Sequence, residues 1–208
     1  MRRKIELGCL VVLWIVWAVI MFFLLCAAEG YNPMAQGKPR EDTLFSGTYS
    51  VIYRPDLRIP TRVWWSLDVS DIGSSQREPS WRFTEDTRVS LPRATHNDYT
   101  NSGYDRGHMV PAADRSSSIS SMKQTFIMTN VCPQVPKLNR GAWKSLENAC
   151  RRVALNGTPV RIVTDAVFWQ ADTQRIGRNG VAVPHGYVKT VYSSTGDSIL
   201  YSRYYQNY

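Results

Sequence analysis

The chain has 208 residues, with Lys+Arg 25 against Asp+Glu 17 and a formal net charge of +8. That length holds one ordinary domain plus an extension, and 43% hydrophobic with 20% charged residues excludes a disordered chain. Four cysteines exclude a disulfide-dense scaffold, and three histidines with no i,i+4 pair exclude a helical zinc-protease motif. The sequence pI near 9.5 favours an anionic partner, either nucleic acid or a membrane surface.

Arg2, Arg3 and Lys4 precede an uncharged run of 22 residues, Leu7–Ala28. As a helix it would span about 33 Å, enough for a bilayer core. It reads either as an uncleaved anchor or as a signal peptide cut after Cys26-Ala27-Ala28, and its length favours the anchor. The basic end is expected to stay in the cytoplasm. That gives a single-pass membrane protein with an extracytoplasmic domain, or a secreted or periplasmic protein if the segment is removed. Without residues 1–28 the chain keeps Lys+Arg 22 against Asp+Glu 16, a charge of +6, so the basic character belongs to the remainder.

Residues 29–44 mix Gly, Pro and charge without periodicity and read as a linker. Apolar runs recur from Phe45 onward, so 45–208 is expected to be one domain. Thr48–Tyr53, Arg62–Leu67, Thr125–Val131 and Val160–Trp169 are rich in β-branched and aromatic residues and predict strands. One helix is predicted from Asn139 to about Leu155, ended by Asn156-Gly157, with Ala142, Leu146, Ala149 and Val153 as its apolar stripe. Tyr187–Ser193 and Ser198–Tyr204 flank Thr195-Gly196-Asp197 and predict a hairpin. Strands able to pair antiparallel, plus a few helices, give an α+β domain built on a central antiparallel sheet.

Two stretches carry chemistry. The first runs Tyr104-Asp105-Arg106-Gly107-His108-Met109-Val110-Pro111-Ala112-Ala113-Asp114. A His beside Arg and Asp suits acid–base work near a phosphate, although a solvated loop with an incidental His has the same composition. The second includes Thr129-Asn130-Val131-Cys132-Pro133-Gln134, then Leu138-Asn139-Arg140-Gly141-Ala142-Trp143, Leu146-Glu147 and Arg151. Together they resemble the DNA/RNA non-specific endonucleases, a family with a ββα-metal (His-Me finger) site. Asn97-Asp98-Tyr99, Ser102-Gly103, Met122, Phe126, Val183-Pro184, Tyr187 and Lys189 extend the resemblance over roughly 50–208.

The resemblance implies a ββα-metal motif and a role for each matching residue. His108 is the general base for the attacking water. Asn139 is the one direct protein ligand of a divalent ion, Mg²⁺, with Mn²⁺ or another divalent ion able to substitute. Glu147 holds metal-bound water. Arg106 and Arg151 contact the phosphate, and Asn130 supports the site's geometry. Asp105 positions its neighbours. The substrates are DNA and RNA, the products carry 5′-phosphates, and no protein partner is identifiable. The membrane is a further partner through residues 7–28 if that segment is uncleaved.

Elementary chemistry agrees with these roles. Mg²⁺ prefers oxygen and keeps several waters, so one amide oxygen anchors it only together with substrate phosphate. On a continuous helix Asn139, Trp143, Glu147 and Arg151 drift by about 40° per step. Asn139, Glu147 and Arg151 are then expected to face one cleft. An ordinary surface pair is the alternative for Glu147 and Arg151.

The sequence departs from the family pattern where an arginine is expected ahead of Phe83–Asp86. Trp81 holds that place, and the adjacent Arg82 is a candidate substrate contact. Arg175 and Arg178 read as a polar loop. Cys132 and Cys150 could bridge, but pairing is not favoured. The rival class is a membrane-tethered, non-catalytic nucleic-acid-binding module. A His base of ordinary pKa predicts activity falling as pH drops through about 6 to 7.

Overall fold

The computed structural model describes residues 39–169 and 173–208. The apolar run 7–28 lies outside the described residues, and so do the anchor and signal readings that rest on it. The described part is a sheet-dominated fold with few helices.

The strands in chain order are β1 Asp42–Phe45, β2 Ser50–Arg54, β3 Ile59–Leu67, β4 Asp105–His108, β5 Val131–Gln134, β6 Val160–Val167, β7 Arg175–Ile176, β8 Val181–Ala182, β9 Gly186–Ser193 and β10 Ile199–Gln206. Six form one sheet, β1-β2-β3-β6-β9-β10. Every neighbouring pair in it is antiparallel. The sheet begins at Asp42, inside the stretch read as linker.

Alternation dictates its inner face. Val63, Trp65 and Leu67 of β3 are buried, while Arg62 and Ser66 are exposed. Val160, Ile162 and Thr164 of β6 continue that face, and so do Tyr187, Lys189 and Val191 of β9. Each large apolar side chain buried this way contributes about 1.5–3 kcal/mol. The presence of Lys189 in that row, 1% exposed, is the anomaly that matters for the site. The predicted β9–β10 hairpin forms, with Gly196 at φ 83 in its turn.

A second layer lies apart from the sheet. β4 pairs antiparallel with β5, matching Asp105 to Gln134 and His108 to Val131. A wide helical turn, Leu138–Trp143, follows β5 and leads into the helix Lys144–Leu155. We number that helix α2, after the short α1 Ile119–Lys123.

Three expectations need correction. Thr125–Val131 is not a strand: Met128–Asn130 is a tight turn, and only Val131 enters β5. There the Asn130 side chain caps main-chain groups and competes with strand pairing. The helix from Asn139 is broken at Gly141 (φ −105, ψ −108), so Asn139 sits on a separate turn from α2. The stripe of Ala142, Leu146, Ala149 and Val153 is not the buried one. Trp143, Cys150 and Ala154 are buried instead, and Val153 is 40% exposed.

Candidate active site

His108 is the last residue of β4, and the chain on both sides of it is fixed. A side chain on Gly107 would place its Cβ into the buried Gln134 side chain, which would have to shift to admit it. Beyond His108, the Met109 N–H donates to the Asn130 carbonyl at 2.9 Å. The Val110 N–H donates to Asn130 Oδ1 at 2.9 Å, and Asn130 Nδ2 donates to the Val110 and Thr125 carbonyls at 3.0 Å each. Asn130 is fully buried and its amide is spent on main-chain groups.

The His108 ring lies against Phe83, 4.9 Å between centroids, and edge-on to Phe126 at 5.0 Å. Its Nε2 is buried with no hydrogen-bond partner. Burial, and then the charge of Arg77, pull its pKa from 6.5 to about 4. The ring is therefore neutral across the physiological range, the form a proton acceptor needs.

His108 lines a cavity of about 420 Å³ together with Asn139, Asp105, Arg106, Arg82 and Arg77. His108 and Asn139, expected to share one site, both line this cavity. Asp105 organises the cavity's oxygen side. It accepts from Asn139 Nδ2 at 2.9 Å and takes both Arg140 nitrogens, at 2.8 and 2.6 Å. Burial alone would raise the Asp105 pKa, but the hydrogen bonds from Arg140 and Asn139 outweigh it and hold the carboxyl below its ordinary value. With Asn139 Nδ2 committed, the amide Oδ1 remains as an oxygen donor. No group of three or more His, Cys, Asp or Glu suited to a metal occurs among the described residues. Few hard oxygen donors fit a cation that keeps its waters, such as Mg²⁺, and not a thiolate- or imidazole-bound metal.

The opposite side is cationic. Arg106 donates from Nε and Nη2 to the His96 carbonyl (3.2 and 2.7 Å) and from Nη2 to Thr100 Oγ1 (3.0 Å), which leaves Nη1 for another acceptor. Arg77 donates to the Trp81 carbonyl at 2.9 Å and lies over the Phe126 ring at 5.0 Å. Among the described residues none of Arg77, Arg82 and Arg106 has a salt-bridge partner. Three unneutralised guanidiniums around one cavity make a receptor for anionic oxygen.

Glu147 and Arg151, expected to share a cleft with Asn139, are not among the residues lining this cavity. The break at Gly141 separates them from Asn139. The surface-pair alternative fails as well. Arg151 pairs with the buried Asp114, and Glu147 Oε1 lies 3.9 Å from Lys189 Nζ. Lys189 Nζ sits 4.1 Å from the Trp143 ring centroid and 5.5 Å from that of Trp65. Burial raises the Glu147 pKa to about 7 although Lys189 opposes it. Burial also raises that of Asp114 against the pull of Arg151 and Lys189.

Sequence reasoning missed Arg77, His96 and Lys189 as site components. His96 lines the cavity and stacks on Phe83, and it stands one residue before the Asn97-Asp98-Tyr99 segment that had signalled the family. Arg77 lies in an aperiodic polar stretch that carries no local signal. Arg175 turns to the Asp56 and Gly180 carbonyls. Cys132 and Cys150 are buried free thiols. A cavity of similar size on the outer sheet face, lined by Trp64, Arg161 and Tyr192, holds none of the groups above.

The sequence profile of the DNA/RNA non-specific endonuclease family matches residues 26–207. Endonuclease G, mitochondrial, of Homo sapiens is 35% identical over 175 residues, 79% of this chain and 57% of the relative. A nuclease of Nostoc sp. is 34% identical over 125 residues, 60% of this chain and 46% of the relative. The chain therefore spans about half the length of these relatives. A chain in the crystal structure of the EndoG/EndoGI complex superposes with a TM-score of 0.72 at 27% identity, covering 83% of this chain and 77% of that one. The expected single-pass membrane localisation is corrected by these findings. The matching Endonuclease G proteins of Homo sapiens and Bos taurus are named as mitochondrial; among the described residues, which do not include 7–28, no helix is long and apolar enough to cross a membrane.

Proposed function

This chain belongs to the DNA/RNA non-specific endonuclease family, and from that premise we propose that the His108 cavity hydrolyses phosphodiester bonds within DNA and RNA. The observation that carries the reading is one cavity joining an unpartnered neutral histidine, an oxygen pair on Asn139 and Asp105, and three unneutralised arginines. His108 takes the proton of the attacking water. Arg106, Arg82 and Arg77 hold the nonbridging oxygens and oppose the charge that grows on them. Contacts of this kind address the backbone and carry no base information, which accounts for weak sequence specificity.

β4, β5 and the helical segment after them form the ββα-metal arrangement of this proposal. Asn139 Oδ1 would be the direct ligand of a divalent ion, Mg²⁺ by its oxygen preference. When bound, the ion supplies charge neutralisation at the phosphate and the leaving oxygen. Asp105 keeps the Asn139 amide turned for that task. As the water oxygen bonds to phosphorus the P–O3′ bond breaks, and the departing 3′-oxygen takes a proton from solvent water, which leaves 5′-phosphate ends.

Nicking of supercoiled plasmid with Mg²⁺, repeated with chelator and with His108→Ala, tests the reading. The native chain should nick only with the metal, and His108→Ala should lower the rate by about 10²–10⁴, the usual worth of a general base. Near-native nicking by the variant would remove His108 from its role. A native chain that binds DNA without cutting it would be a non-catalytic binding module.

A further inference from the structure

We propose that the substrate strand leaves the His108 cavity along a groove that passes Arg82 and reaches Lys123, and that Lys123 binds the phosphodiester backbone flanking the scissile bond. This inference rests on reading the cavity as a phosphodiester site.

The cavity and two neighbouring hollows are linked by shared lining residues. The cavity shares Arg82 with a second depression of about 260 Å³, walled by Ser80, Thr84 and Lys123 over a floor of Trp81 and Phe126. That depression shares Thr84 and Lys123 with a third, of about 470 Å³, which ends at Phe45 and Gly47 in the β1–β2 turn. Three hollows therefore follow one another from His108 to the edge of the sheet.

The charge along this path has one sign. No Asp or Glu lines the second or third hollow. Lys123 is exposed at the end of α1, and among the described residues neither it nor Arg82 has a salt-bridge partner. Arg88, at the far end, is different. Both Asp86 oxygens neutralise it, at 2.9 and 2.6 Å, so the attractive stretch runs from Arg82 to Lys123. An extended polyanion complements such a track.

The floor decides how the strand is held. Trp81 and Phe126 pack edge-to-face at 5.4 Å and are buried. Neither presents a free ring face for a base to stack on, unlike the platforms of single-strand binders. The groove offers cations to phosphates and apolar surface to sugars, so it extends binding without adding base readout.

The test uses the full chain and a labelled single-stranded DNA of about twelve nucleotides, a length within reach of a single-strand groove. Anisotropy in chelator gives Kd across a salt series. Lys123→Ala should weaken binding about fivefold and reduce the slope of log Kd against log salt by about 0.7, the loss of one phosphate contact on a single strand. Arg161→Ala removes an equal charge from the outer sheet face and should leave that slope as it is. A native slope in Lys123→Ala, or an equal loss in both variants, would overturn the proposal.

Turnover with Mg²⁺ separates this claim from the one beneath it. If the groove is right, Lys123→Ala raises KM for the long strand with kcat unchanged, and its deficit exceeds that on a dinucleotide at least fivefold. An equal deficit on both substrates overturns the groove. A native chain that shows the Lys123 salt effect but cuts neither substrate overturns the catalytic reading and leaves the groove standing.

Discussion

Acidification reads the environment of His108 directly. The ring is enclosed by Phe83 and Phe126 and faces the charge of Arg77, and its pKa falls from 6.5 to about 4. At 1.36 kcal/mol per pH unit that is about 3 kcal/mol of preference for the neutral ring. The acid limb of kcat/KM reports the free enzyme, so a base at this position should keep its activity from pH 7 down to pH 5 and lose half of it near pH 4. This replaces the expectation of a fall between 6 and 7, which assumed a ring in water. The same shift couples to folding. A folded-state pKa below the unfolded value means that the unfolded chain binds more protons between about pH 4 and 6.5. The stability contributed by the neutral ring is then full above 6.5 and is lost as pH drops through that window. Arg77→Met removes the second cause and should move the limb upward, between 4 and 6.5, with burial still holding it below the ordinary value. Initial nicking rates at fixed Mg²⁺ from pH 4 to 8 measure the limb. Glu147, raised to about 7, titrates nearby, and Glu147→Gln identifies any limb that belongs to it. A limb at 6–7 that survives Glu147→Gln, or one that ignores Arg77→Met, would refute the reasoning.

Asp105→Asn keeps the volume of the side chain but removes the charge that orients Asn139 and Arg140. The half-activating Mg²⁺ concentration should rise about tenfold or more, as it does when a metal ligand loses its supporting group, and an unaltered metal titration would deny Asp105 that task. Asn207, buried near the C-terminus, accepts from the Val135 N–H at 2.9 Å and donates to the Pro133 and Pro184 carbonyls at 2.9 Å each. Asn207→Ala should cost about 2–4 kcal/mol by leaving these groups unpaired, seen as a Tm lower by several degrees, whereas a loss under about 1 kcal/mol would show that water takes over the bonds.

β2, β3, β6, β9 and β10 of the main sheet were legible because they are rich in β-branched and aromatic residues. β3 alternates Val63, Trp65 and Leu67 with Arg62, Trp64 and Ser66, and its neighbours β6 and β9 repeat the pattern. β4 was not legible. Asp105-Arg106-Gly107-His108 contains no large apolar residue, and its strand geometry comes from pairing with β5, a partner more than twenty residues away. β1, Asp42-Thr43-Leu44-Phe45, was hidden because the Gly, Pro and charge that precede it made residues up to 44 read as linker, and β2 is the strand it pairs with. Thr125–Val131 failed in the opposite direction. Its composition is that of a strand, but Asn130 closes a turn by bonding the main chain on both sides.

The phase of α2 shows what a local pattern cannot contain. Reading Ala142, Leu146 and Val153 as the buried stripe assumes that charges face water. Glu147 and Arg151 in fact follow Trp143 and flank Cys150 on the packed side. What permits this is compensation from elsewhere in the chain. Asp114, in the turn after β4, pairs with Arg151, and Lys189, on the inner row of β9, faces Glu147. The cluster holds two acids and two bases, and the one ammonium without a hydrogen bond lies over the Trp143 ring, where the ring's negative face offsets part of its desolvation. Removing any one member would leave an uncompensated interior charge, costing about 3–5 kcal/mol. The interior ion pairs therefore fix α2 against both the sheet and the turn that follows His108. The wide turn carrying Asn139 departs from the axis of α2 at Gly141, and Asn139 lines the same cavity as His108.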